Sequence, residues 1–159
     1  MNQVQNKPIE SKEGIFNRSI KNKTLVEFNG QSVTAAGYYP VWLNNLADDV
    51  TLEGSLMKDF VQGPQAVQAI VTCIRNFYER QEFSFAGLFR EDIFFENYSA
   101  WFQGKRIDCI VMIIRNTAGQ AQHIAVSYRP LNAVLLLSRL AGEYFAGTPY
   151  SEHFADKRI

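Results

Sequence analysis

Leu46-Ala47-Asp48-Asp49-Val50-Thr51-Leu52-Glu53-Gly54, followed after a short gap by Gly63-Pro64, is the stretch on which the fold turns. After the paired aspartates a period of two runs through Val50, Leu52, Gly54 and Leu56, the pattern of a short strand. Proline behind Gly63 fits the first turn of a helix, where a missing N–H costs nothing. Beyond it Ala66, Val67, Ile70, Val71, Ile74, Phe77 and Tyr78 recur every three or four residues, which predicts an amphipathic helix over 64–80.

Outward from that pair the texture changes on both sides. Towards the C-terminus, 83–89, 93–102, 106–115 and 121–129 are each long enough for a strand and rich in aromatic or branched residues. Gln103-Gly104-Lys105 and Asn116-Thr117-Ala118-Gly119 supply the turn chemistry of antiparallel hairpins. The strand containing Ile107 to Ile114 is apolar on both faces, so both sides of its sheet are expected to be covered. Past Arg129-Pro130, the run Ala133 to Leu137 with Leu140 suits a closing helix ending between Gly142 and Gly147. Towards the N-terminus, Tyr38, Tyr39, Val41, Trp42, Leu43 and Leu46 are spaced as in one helix interrupted at Pro40. Residues 1–31 are polar and mixed in charge, an arm, and 32–159 form one domain.

Composition narrows the partners. The 159 residues carry sixteen basic and sixteen acidic side chains, with no charge excess to favour nucleic acid or an anionic membrane. A chain of this size buries about 70% of its unfolded surface and needs no disulfide or metal to hold a core. Cys73 and Cys109 each sit in an apolar run and read as buried thiols, and two histidines beside them form no zinc spacing. No window reaches the ~20 apolar residues of a membrane span, and no apolar leader opens the chain, so a cytoplasmic protein is expected.

The order helix, Leu-Ala-Asp-Asp-Val-Thr-Leu-Glu-Gly, Gly-Pro helix, then long antiparallel strands ending in Arg-Pro-Leu resembles the nuclear transport factor 2-like superfamily over about 33–140. That superfamily includes the SnoaL-like polyketide cyclases and the ketosteroid isomerases. The resemblance implies an α+β cone: a curved sheet wrapped around helices, an apolar pocket between them, and often a dimer through the outer sheet face. It does not carry the isomerase mechanism with it. The general base of that reaction would fall at Gly54, and the hydrogen-bond-donating acid at Val111 or Ile113, none of which titrates. Tyr38 or Tyr39 stands where the isomerases have a tyrosine, and a donor without a base shuttles no proton.

Alternation along the strands then sorts the faces. Superposed on the same pattern, Leu52, Gly54 and Leu56 point inward, with Phe94, Glu96, Tyr98 and Ala100, then Cys109, Val111, Ile113 and Arg115, then Ile124, Val126 and Tyr128. The expected ligand-binding residues are Tyr38, Trp42, Leu52, Gly54, Phe77, Tyr98, Val111, Ile113 and Tyr128, and the catalytic candidates are Glu96, Tyr98 and Tyr128. Glu96 has two readings: a carboxyl desolvated in the cone and able to act as a base, or a solvated residue near a strand end, favoured because glutamate is seldom buried without a partner. Trp42 and Tyr38 are core aromatics or a lid, with core favoured. His123 points outward, His153 lies in a polar tail, and Asp48 and Asp49 shape a turn rather than bind metal. Arg129 fixes the chain's entry to the last helix or meets a ligand carboxylate.

Two functions follow. The chain is a SnoaL-like small-molecule-binding protein with an apolar pocket, or a cyclase, isomerase or dehydratase using Glu96 and a tyrosine on a hydrophobic carbonyl substrate. The missing acids favour the first. No cofactor and no metal is implied; the expected partners are a small hydrophobic molecule and a second copy of the chain. That homodimer would bury Ile110, Met112 and Ile114, with Asp108 and His123 at its rim; Ile15, Phe16 and Ile20 of the arm are the other candidate cover.

Overall fold

The computed structural model describes residues 24–28, 31–34 and 40–156. Two short strands, β1 (Thr24–Phe28) and β2 (Gln31–Thr34), pair as an antiparallel hairpin that spans the arm boundary expected at residue 31, and β1 lies against a strand of the main sheet. The main sheet contains β3 (Leu46–Gly54) and β4 (Val61–Gln62), and then, after helix α1 (Pro64–Phe77), β5 (Arg80–Arg90), β6 (Ile93–Phe102), β7 (Lys105–Arg115) and β8 (Ala121–Arg129). Helix α2 (Leu131–Tyr144) and a 3-10 turn (Pro149–His153) close the chain.

Strand order is β4-β3-β8-β7-β6-β5. β3 runs parallel to β8, and every other neighbouring pair is antiparallel. The four long strands fall where their composition places them. Gln103 and Gly104 both take positive φ (49° and 71°), the geometry of the tight two-residue hairpin whose twist matches that of its strands. Irregularities near Ser84 and Phe89 in β5, and in β3 before Thr51, break the ladders. Such bulges bend the strands and let the sheet wrap a helix.

Helix α1 fills the concavity. Its Ala66, Val67, Ile70, Cys73 and Ile74 are buried, one stripe of an amphipathic helix, and they pack with the inner rows of the sheet. Val67, Ile70 and Ile74 each contribute about 1.5–3 kcal/mol on leaving water. Ser138 of α2 holds the remaining wall together: its buried hydroxyl donates to the Leu56 carbonyl at 2.6 Å and accepts from the Ala155 N–H at 2.9 Å. That pins the C-terminal segment, with Phe154 stacked on Phe145, across the loop after β3.

Three expectations are corrected here. Of the helix read from Tyr38 to Leu46, the part from Pro40 onward is a four-residue 3-10 turn, Val41–Asn44, followed after Asn45 by β3, and Tyr38 and Tyr39 lie outside the described residues. Pro40 has no N–H for a helix running through it, and a short aromatic cluster serves a turn as well as a helix. Asp48 and Asp49 lie within β3, in its irregular part, with Asp49 accepting from Gln122 Nε2; they form no turn. Helix α1 stops at Phe77, because β5 already begins at Arg80. On β7, Ile107, Cys109, Val111 and Ile113 are buried, whereas Ile110, Met112 and Ile114 are only half-buried, so nothing among the described residues fully covers the outer face.

Candidate functional site

Register builds the site in two rows across the sheet. Glu96 pairs with Val111, Val111 with Val126 and Val126 with Gly54. Tyr98 pairs with Cys109 and Cys109 with Tyr128, about 7 Å further along the strands at two residues' rise. All of these face α1, as the alternation of the sequence requires. A cavity of about 50 Å³ lies between, lined by the inner sheet rows, by Ile70, Val71, Ile74 and Arg75 of α1, by Pro40 and Trp42, and by Phe154 from the C-terminal segment.

Glu96 is 2% exposed, which excludes its solvated reading. Trp42 supplies the partner that the sequence did not show: its indole Nε1–H donates to Glu96 Oε1 at 2.8 Å, from a residue itself 3% exposed. Burial pushes the Glu96 carboxyl up to about 8, so at neutral pH it is mostly protonated. A neutral carboxylic acid accepts from the indole through one oxygen and keeps an O–H to donate.

The second row is a phenol cluster. Tyr78 and Tyr98 hydroxyls meet at 3.0 Å, their rings edge to face, and Phe83 packs on Tyr98 at 5.2 Å between centroids. Tyr128 is partly buried, with its hydroxyl turned into this cluster beside the Cys109 thiol. Desolvation drives all three phenols and the thiol well above their ordinary values, and hydrogen bonds within the cluster offset part of that rise at Tyr78 and Cys109. They are hydrogen-bond donors and acceptors, not anions.

The structure brings together Trp42, Leu52, Gly54, Glu96, Tyr98, Val111 and Tyr128 around the cavity. Phe77 and Ile113 do not line it. Phe77, at the end of α1, meets Tyr144 of α2 edge to face at 6.5 Å, and Ile113 is packed without exposure in the row of Phe94 and Ile124. Tyr38 lies outside the described residues. Arg115, counted inward, sits at a register shift of β7 and donates to the Glu91 carbonyl at the rim. Sequence reasoning missed Tyr78, Phe83 and Arg75. Tyr78 and Phe83 flank the junction of α1 and β5, and the bulge at Ser84 is what aims Phe83 inward opposite Tyr98. Arg75 follows Val71 by one helical turn on the cavity side, a spacing that was available.

Gly54 is more than an absent acid. A Cβ there would stand 2.5 Å from the Val126 carbonyl oxygen, because the parallel β3–β8 pair brings the two backbones together. The position that would hold an isomerase base has no room for any side chain. His123 is exposed on the opposite face, its Nδ1 2.9 Å from Thr51 Oγ1, and the described residues hold no cluster able to ligate a metal. No described helix is long and apolar enough to cross a membrane.

No family model and no curated protein sequence matches the chain. Solved structures do. One is an uncharacterized bacterial protein with a cystatin-like fold from Silicibacter pomeroyi, at a TM-score of 0.63 and 15% identity over 67% of this chain and 75% of that one. Another is a steroid delta-isomerase from Pseudomonas aeruginosa, at 0.61 and 17% over 67% and 79%. A third is a de novo designed protein with a curved β-sheet, at 0.50 and 18% over 61% and 78%. At these identities the likeness extends to the fold and no further. The six-stranded sheet around α1, together with these matches, gives this chain an α+β, cystatin-like cone fold.

Proposed function

We propose that the protein binds a small, neutral, largely apolar molecule in the cone and that it lacks the proton shuttle of the ketosteroid isomerases. The observation that carries this reading is Glu96, a carboxyl enclosed with the phenol of Tyr98 in an otherwise mostly apolar cavity. A few convergent polar atoms on apolar walls are what orient a bound small molecule. A protonated acid and neutral phenols favour a carbonyl, hydroxyl or N–H group and disfavour a carboxylate beside them. The test is a thermal-shift panel of neutral cyclic ketones, phenols and aromatic amines against carboxylates of the same size, on the wild type and on Val111→Phe, which fills the cavity. Stabilisation by neutral members that is lost in a folded Val111→Phe supports the reading. Stabilisation by the acids alone, or none by any member, overturns it.

A second reading rests on the same carboxyl. A group that titrates near 8 is well matched to proton transfer close to neutrality, so Glu96 with Tyr98 or Tyr128 has the makings of an acid–base pair for an isomerase or dehydratase acting on a hydrophobic carbonyl substrate. We also infer a homodimer through the outer sheet face, supported by the half-buried Ile110, Met112 and Ile114.

A further inference from the structure

We propose that Trp42 occupies part of the protein's own binding site, and that a ligand ring bearing a hydrogen-bond donor takes the place of its indole on Glu96. The inference rests on the binding reading above and adds to it a ligand class and a gate. The open volume of about 50 Å³ holds only a few waters, far less than the roughly 300 Å³ at which small-molecule pockets begin. Something in the lining has to leave before a cyclic ligand enters.

Trp42 is the member of the lining placed to do so. It is carried not by the sheet or by a long helix but by a single 3-10 turn, held by the Leu43 N–H to Pro40 carbonyl bond at 2.9 Å and the Asn45 N–H to Trp42 carbonyl bond at 3.0 Å. Pro40 at the start of the turn gives it no side-chain cap. The far side of the turn is anchored. Leu43 is buried and its carbonyl accepts from Gln68 on α1, while Asn45 donates to the Gly119 carbonyl and accepts from the Ala121 N–H. With Leu43 and Asn45 both tied down, the hinge falls between Trp42 and Leu43, and Trp42 is the part that swings.

The group exposed by that movement selects what replaces it. Departure of the indole removes the 2.8 Å hydrogen bond on Glu96 and opens a flat, apolar slot. An unmade bond at a buried acceptor is costly, so the favoured occupant restores an N–H or O–H there on a planar, uncharged ring. Indoles, phenols and neutral aromatic amines meet that description.

Three proteins and three probes test the proposal. Trp42→Ala creates the slot; indole should bind it at least tenfold more tightly than it binds the wild type, and at least tenfold more tightly than benzofuran, which has the same shape without the N–H. Because Trp42→Ala risks failing to fold, the third protein is Trp101→Phe, which leaves Trp42 as the single tryptophan, since the chain has two. Excited at 295 nm, its emission should shift to the red and become more quenchable by acrylamide as phenol saturates it. Equal affinity of indole for wild type and Trp42→Ala, no preference over benzofuran, or phenol binding without a change at Trp42 overturns the gate. Phenol binding seen by calorimetry with an unmoved Trp42 leaves the binding reading standing; absence of binding to every protein removes both.

Discussion

Gly54 and Glu96 sit at the two ends of one row across the sheet, and each turns on a single atomic fact. At Gly54 the fact is the Val126 carbonyl, 2.5 Å from where a Cβ would be. Gly54→Asp, which puts back the acid that an isomerase would need, should therefore cost about 1–3 kcal/mol from overpacking, read as a lower urea midpoint, and yield no steroid isomerisation. A stable and active Gly54→Asp would contradict the close β3–β8 approach. At Glu96 the fact is burial. Between about pH 4.5 and 8 the unfolded chain has released this proton and the folded chain still holds it. The unfolded state is then favoured by ionisation, so Glu96 makes stability fall as pH rises through that window and level off above it. Glu96→Gln should remove that slope: relative to wild type, the variant gains on the order of 4 kcal/mol in unfolding free energy between pH 5 and pH 8.5. Parallel curves for the two proteins would mean that the carboxyl is solvated. The inward side of Glu96 was legible by counting residues from a turn. Its burial was not, because the Trp42 indole that makes burial tolerable lies 54 positions away in the chain.

Among the elements, the longest periodic segments were the most readable. β6, β7, β8 and α1 each repeat one pattern over nine residues or more, and alternation with a recognisable turn fixes which side faces in. Pro40 to Leu46 failed for the opposite reason. The segment is fixed by tertiary contacts, Trp42 to Glu96 on β6, the Leu43 carbonyl to Gln68 on α1 and Asn45 to the β7–β8 turn, and such contacts leave no period in a segment of a few residues. The bulge at Ser84 was hidden in the same way, and with it the inward aim of Phe83. For α1 the expectation is quantitative: Ile70 is 3% exposed and borders the cavity, so Ile70→Ala should cost about 2–5 kcal/mol, with the lower end applying if the lining collapses into the space left. Denaturant unfolding measures it, and a loss below 0.5 kcal/mol would show that α1 does not sit in the concavity.

At the scale of the whole molecule, the sheet has two apolar faces and one set of helices. The inner face is covered by α1 and α2; on the outer face Phe95, Ile110, Met112 and Ile114 are only half-buried, with Phe60 at 56% and Phe89 at 71% exposure beside them. Phe89 already leans edge to face on Phe95, and Phe60, Met112, Ile114 and Ala125 share a shallow hollow with Thr51 and His123. Scattered apolar side chains on a surface are ordinary, but a contiguous patch of this kind marks an interface. The network of Ser99, Asp108 and Arg106 at one end of the face, with Arg80 stacked 3.7 Å over Trp101, supplies polar groups of the sort found at an interface rim. A twofold pairing lays the patch on itself and needs no separate partner chemistry. Met112→Asp places a charge near the middle of that surface, on the outer side of β7, while the inner row with Val111 and Ile113 is untouched. The expected outcome in sedimentation equilibrium is a dimeric wild type and a folded, monomeric Met112→Asp, with the dissociation constant raised by at least a hundredfold, as a charge left unpaired in an apolar interface requires. A wild type that sediments as a monomer at all accessible concentrations would leave the face to another cover within the same chain, for which residues 15–20 carry the apolar side chains Ile15, Phe16 and Ile20. In that case Met112→Asp would lower stability without changing mass, and the two measurements together separate an interface from an internal strap.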